Sequence, residues 1–162
     1  MFKWFGKVNY TPYTKVADFA QYLKDGYLMA SRCGQCSATS FPPRADCGEC
    51  MSGDFDYVEI SGRGKVNTFT RIVAAPTGFE DVAPYVVGVV DLEDGGRALA
   101  WFGDSIDESE IKIGMDVQLV PRIFEEKEGI TVYYSLERPG TTWSRSKSGI
   151  AAGGSVPSGG MP

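Results

Sequence analysis

A chain of 162 residues, 43% hydrophobic and 12% aromatic, has the composition of one modest folded domain or of a small module joined to a larger one, and not that of a disordered chain. Its net charge is −5, and residues 62–140 carry eight Lys/Arg against fourteen Asp/Glu. Nucleic-acid binding, which draws on cations that neutralise phosphates, is therefore disfavoured unless those few cations cluster. No apolar run approaches the roughly 20 residues of a membrane helix, and the segment Met1–Lys7 lacks the apolar core and small-residue cleavage site of a secretory signal. A cytoplasmic location is expected.

In chain order, residues 1–26 read as an N-terminal extension ending in one short amphipathic helix. Thr14 is placed to cap it, Val16, Phe19, Ala20 and Leu23 fall at helical spacing, and Asp25-Gly26 ends it. The apolar face of that helix is suited to packing on its own domain or on a partner subunit.

Residues 27–60 hold all four cysteines as two Cys-x-x-Cys pairs, Cys33/Cys36 and Cys47/Cys50, separated by ten residues. Each pair sets two sulfurs on one tight turn, and two facing turns supply the four tetrahedral thiolates that Zn²⁺ favours, with sulfur at about 2.3 Å. Such a closed site leaves no open position for a substrate. Iron in a rubredoxin-like site, with electron transfer as its function, shares this ligand set. Two disulfides or a redox Cys-x-x-Cys are the other readings, and the absence of a secretory context speaks against them. Four thiolates and one Zn²⁺ sum to −2, so metal would deepen the negative charge.

From residue 61 to 140 the pattern changes to short strands. Gly64–Ile72, Pro84–Leu92, Arg97–Phe102, Val117–Phe124 and Ile130–Leu136 are rich in Val, Ile, Tyr, Phe and Thr, with Asp94-Gly95-Gly96 and Glu128-Gly129 as turns. The expected class is mainly β: a helix, a rubredoxin-like ribbon, then a five-stranded OB-fold barrel. Pro121 predicts an edge or a bulge in the fourth strand. Residues 141–162, rich in Gly and Ser, read as a flexible tail.

The chain has no histidine and no cysteine outside the two pairs, so it offers no Ser-His-Asp or Cys-His arrangement. Gly62-Arg63-Gly64-Lys65 is too short for a phosphate loop of the P-loop type. Asp91, Glu93 and Asp94 sit at an expected hairpin, where carboxylates are solvated. Regular alternation along the first barrel strand sets Val66, Thr68, Thr70 and Ile72 on one side and Lys65, Asn67, Phe69 and Arg71 on the other. The second side combines cations, which hold phosphates, with a ring on which a purine stacks. Arg63, Arg97 and Trp101 extend it if the strands neighbour. Coenzyme A or an adenine nucleotide fits that face; an ordinary solvent face with Phe69 in a subunit interface fits it equally.

The run Arg32-Cys33-Gly34-Gln35-Cys36, then Phe41-Pro42-Pro43-Arg44, then Cys47-Gly48-Glu49-Cys50, then Ser61-Gly62-Arg63-Gly64-Lys65-Val66 leading into strands, resembles the acyl-CoA-associated OB-fold proteins with an N-terminal rubredoxin-like zinc ribbon. The resemblance spans roughly residues 15–138, and its specificity lies in the order of these pieces. Met1–Tyr13 and the Gly/Ser tail fall outside the shared pattern. The resemblance implies a non-catalytic partner of a thiolase-fold protein, which would supply the nucleophilic cysteine and the histidines this chain lacks. It also implies a structural Zn²⁺, and a barrel that helps bind or enclose coenzyme A or an acyl-CoA shared with the partner.

Overall fold

The computed structural model describes residues 13–80, 82–126 and 129–142. The expectations for residues 1–12 and for the tail beyond residue 142 lie outside them. The chain forms a helix α1 (Asp18–Asp25), three ribbon strands β1 (Met29–Cys33), β2 (Thr39–Ser40) and β3 (Phe55–Glu59), and five barrel strands β4 (Arg63–Ile72), β5 (Tyr85–Leu92), β6 (Arg97–Phe102), β7 (Asp116–Glu126) and β8 (Gly129–Glu137).

Helix α1 buries Phe19, Ala20 and Leu23 on one side, as their spacing dictates. Gly26 closes it at φ 91°, its N–H bonding Leu23 O, while the N–H of Tyr27 reaches Tyr22 O. Its start differs from the sequence expectation. The Thr14 hydroxyl accepts from the Val16 N–H at 3.4 Å and so caps a turn that precedes the helix, whose own first residue is Asp18. The ribbon strands pair antiparallel in the order β2-β1-β3. The sequence reading did not anticipate them, because metal-binding turns interrupt any alternating pattern.

The barrel closes in the order β4-β5-β6-β8-β7. Strand β5 alternates half-buried and buried residues along its whole length, as a strand between core and outer face must. Closure is thin at two seams. β4 meets β7 only through Arg63–Lys65, and β6 runs parallel to β8 only at Trp101 and Phe102. By Pro121, β7 has left β4 and keeps β8 alone as its neighbour, the edge position where a missing N–H is tolerated.

Helix α1 packs on β7 and β8, and one apolar core runs from the ribbon into the barrel. Phe19, Phe41 and Tyr134 form its aromatic joint, with ring centroids 5.8, 6.3 and 5.2 Å apart. At the junction Gly62 adopts φ 69°, and a Cβ there would stand 2.6 Å from Leu28 Cδ1, so the ribbon and barrel touch too closely for any side chain.

Candidate metal centre and binding faces

The two cysteine turns are built alike. The N–H of Gln35 donates to Cys33 Sγ and that of Glu49 to Cys47 Sγ, each at 3.4 Å. Ser37 N–H closes on Cys33 O and Met51 N–H on Cys47 O, and Ser37 and Met51 take φ of 62° and 61°. Two equivalent loops thus aim their sulfurs at one point. All four Sγ atoms lie within 4.8 Å of one another, with Cys33–Cys50 and Cys36–Cys47 both at 3.5 Å. A tetrahedral Zn²⁺ with sulfur at about 2.3 Å needs sulfurs about 3.8 Å apart, and a disulfide needs them at about 2.05 Å. The geometry fits a four-thiolate metal and not two disulfides.

Electrostatics carry the same message. The backbone N–H groups of Cys36 and Gln35 pull the Cys33 thiol down to about 6. Against the lowering pull of the Ala38 backbone, the Cys47 and Cys50 thiols push Cys36 up to about 12. Cys47 is lowered chiefly by the backbone of Cys50; Cys50 is raised, against the Ser52 backbone, by the Cys33 thiol. Four sulfurs this close do not ionise together unless a cation sits among them. A shallow hollow beside the turns, with room for no more than about 10 Å³, is lined by Ser31, Arg44, Asp46 and Asp54 among others.

The barrel face differs from the one predicted by regular alternation. A β-bulge at Asn67 sets Val66 opposite Val90 but Thr68 opposite Val89. Residues beyond the bulge therefore change sides. Phe69 pairs with Gly88, where an added Cβ would meet Phe102 and Leu136 of the core, and Arg71 pairs with the buried Val86. Phe69 and Arg71 thus share the inner side of the sheet at its flared end, while Lys65 stays outside opposite Asp91. The expected single face of Lys65, Asn67, Phe69 and Arg71 does not exist. Arg63, Lys65, Arg97 and Trp101 lie on the outer side; Phe69 and Arg71 do not join them.

Most of these cations are already matched. Lys65 pairs with Asp116 at 2.6 Å, Arg97 with Asp91 at 2.5 Å and Arg71 with Glu108 at 2.8 Å. Asn67 and Arg97 hold the Asp91 carboxyl below the usual range. Arg63 has no ion pair among the described residues. Trp101 is not an open stacking platform, because Tyr85 lies 4.8 Å from it at 31° and Phe79 and Tyr133 flank it at 6.0 and 6.3 Å.

One polar cluster has no counterpart in the sequence reading. Glu137 is fully buried on β8 and accepts from Arg122, from the Ser105 hydroxyl, from the Ser105 N–H at 3.1 Å and from the Ser135 hydroxyl at 2.7 Å. It pins the loop that follows β6, and Arg138 adds a bond from its Nε to Ser105 O at 2.7 Å. Polar residues at strand positions otherwise filled by Val, Leu and Tyr were the only available signal.

Comparison with known proteins agrees with this geometry. Residues 20–56 match the family model "ChsH2, rubredoxin-like zinc ribbon domain" and residues 57–122 match "ChsH2, C-terminal OB-fold domain". A DUF35 domain-containing scaffold protein of Methanocaldococcus jannaschii is 35% identical over 70% of this chain and 82% of its own length. The benzoylsuccinyl-CoA thiolase subunit BbsA of Geobacter metallireducens is 31% identical over 64% of this chain and 71% of its own. Among solved structures, a chain of the Ltp2-ChsH2(DUF35) aldolase matches with a TM-score of 0.60 and 29% identity, covering 78% of this chain and 98% of that one.

Proposed function

From the premise that this chain belongs to the DUF35 family, joining a rubredoxin-like zinc ribbon to an OB-fold barrel, we propose that it is a non-catalytic scaffold subunit of a thiolase-type acyl-CoA enzyme. The observation that carries this reading is the placement of every cysteine in the closed knuckle of a histidine-free chain. No nucleophile or general base of the Cys-His kind remains for acyl transfer, so the reaction belongs to a partner. Similar proteins are named as a thiolase subunit and as a chain of an Ltp2-ChsH2(DUF35) aldolase. The narrowest form of the reading is benzoylsuccinyl-CoA thiolysis, taken from the similarity to BbsA.

In the complex, Zn²⁺ held by Cys33, Cys36, Cys47 and Cys50 supplies cohesion to the ribbon and takes no part in the reaction. The outer rim of β4 and β6 contributes to enclosing coenzyme A, with Arg63 as the cation ready to meet a phosphate. Lys65 and Arg97 reach the same ligand only by exchanging Asp116 and Asp91 for it. Phe69 and Arg71 at the barrel mouth, and Trp101 in its aromatic cluster, are more remote contacts. A nucleic-acid module is not favoured, since the barrel segment is acidic and its strand cations other than Arg63 are paired with carboxylates.

The test is to purify the chain alone and together with a thiolase-fold subunit. Alone it holds about one zinc and shows no thiolysis of acyl-CoA; together the two co-elute and acyl-CoA turnover appears or rises. Full activity from the isolated chain overturns the reading.

A further inference from the structure

The outer face of β4, β5 and β6 carries three successive cross-strand rows without a charge: Thr68-Val89-Leu99, Thr70-Val87-Trp101 and Ile72-Tyr85. This follows from the Asn67 bulge, which turns Thr68, Thr70 and Ile72 outward and sends Arg71 to the other side. Leu99 is 61% exposed, and Val73 just beyond the last row is 67% exposed. Phe79 packs edge-on against Trp101, so a half-buried aromatic cluster lies beside the exposed Leu99. Faces of this make-up, aromatic at the centre and free of charge, are what protein interfaces bury.

The rim decides the occupant. The neighbouring charged row, Lys65-Asp91-Arg97, is neutralised within the sheet and by Asp116. The carboxylates flanking the aromatic cluster have no ion pair among the described residues: Glu80 follows Phe79 and accepts the Gly78 N–H at 2.7 Å, and Asp104, three residues past Trp101, lies in the combined field of Arg122 and Glu137. Burial and the negative charge of Glu137 hold the Asp104 carboxyl above its usual range. Two copies of this chain meeting here would bring together two barrel segments of net charge −6, which repel. A partner face that is apolar at its centre and carries lysines or arginines at its edge matches in both respects.

We infer that this face, centred on Trp101 and Leu99, is the surface on which the enzyme subunit docks, through an apolar patch edged by cations that meet Glu80 and Asp104. The inference rests on the scaffold reading and goes beyond it by naming the surface.

The experiment measures the Kd between the purified, zinc-loaded chain and the thiolase-fold subunit that co-purifies with it. Leu99→Asp and, separately, Thr70→Glu place a charge in the middle of the uncharged rows at exposed positions, and each weakens binding at least tenfold. Glu80→Lys combined with Asp104→Lys weakens it and removes most of its salt dependence. Ile113→Asp, an equally exposed apolar site elsewhere, leaves Kd within twofold. Zinc content and thermal midpoint verify that each variant is folded. Wild-type affinity in both Leu99→Asp and Thr70→Glu overturns the docking site while the scaffold reading stands. Loss of self-association in Leu99→Asp, with partner binding intact, assigns the face to a second copy. Protection of Trp101 fluorescence by free coenzyme A in a Trp4→Phe, Trp143→Phe background, with partner binding intact in both variants, assigns it to the ligand. Failure of the wild-type chain to bind any thiolase-fold subunit overturns both readings.

Discussion

At the scale of single residues, the four cysteines and Glu137 matter most, for opposite reasons. The cysteines are held as charge by an ion, and structural zinc in small modules contributes on the order of 10 kcal/mol. Cys47→Ser is therefore expected to lower bound zinc from about one per chain to well below half, measured by metal analysis after gel filtration. Glu137 is charge held without an ion. Burial opposes its ionised form, but bonds from Ser105, Ser135 and Arg122 outweigh that and keep its pKa below the ordinary carboxylate value. A lowered pKa gives stability that is present above the unfolded-state pKa, about 4.3 for Glu, and is lost as pH falls through the folded value. Urea unfolding at pH 7, 4 and 3 should show that acid limb, and Glu137→Gln should flatten it. Glu137→Ala strands Arg122 beside Ser135 and is expected to remove about 3 kcal/mol at pH 7, the lower end of the range for breaking a buried pair because Arg122 keeps some exposure. Gly103 belongs to the same account. A Cβ there would fall on the Glu137 carboxylate, so Gly103→Ala must displace the pair and destabilises in the same direction.

At the scale of elements, the strand β4 shows where a sequence is readable and where it stops. Its ends, its pairing as a barrel strand, and the edge role of Pro121 were all legible, because β-branched runs between turn residues allow few other arrangements. The faces were not. Lys65-Val66-Asn67-Thr68-Phe69-Thr70-Arg71 alternates without a flaw, and nothing in it marks Asn67 as an extra residue. The information lies in the partner strand, where the register sets Phe69 opposite Gly88, whose core side is filled by Phe102 and Leu136. The bulge makes a specific prediction. Phe69→Ala removes an aromatic side chain from the inner side of the sheet and is expected to lower stability by up to about 1 kcal/mol, while Thr70→Ala on the outer face changes it by less than half of that. Equal effects, measured by urea denaturation, would restore the unbulged alternation. The cysteine knuckle was legible for the converse reason: spacing alone determines which sulfurs meet, whatever the strands around them do. The loop pinned by Glu137 was hidden because its contacts join residues 32 positions apart.

At the scale of the whole molecule, the ribbon and the barrel differ in what holds them but share one core. Phe41, between the two cysteine turns, contacts Phe19 of the helix and Tyr134 of the last barrel strand, and Leu28 presses on Gly62 at the junction. A ribbon that loses its metal cannot keep Phe41 in place, and the barrel then loses the cover over Tyr134. Chelation is therefore expected to lower the melting temperature of the barrel as well as the ribbon, in a single transition followed by far-UV circular dichroism and by tryptophan fluorescence. In a Trp4→Phe, Trp143→Phe background the fluorescence reports on the barrel alone, because Trp101 sits on β6 of the barrel and the cysteines on the separate ribbon. Phe41→Ala in the zinc-loaded protein separates the two causes. It leaves the thiolates intact yet opens a cavity at the joint, with an expected loss of about 3–5 kcal/mol, and bound zinc stays near one per chain. Two resolved transitions after chelation, with the Trp101 signal unchanged in midpoint, would mean that the modules are stable independently and that the aromatic joint only orients them.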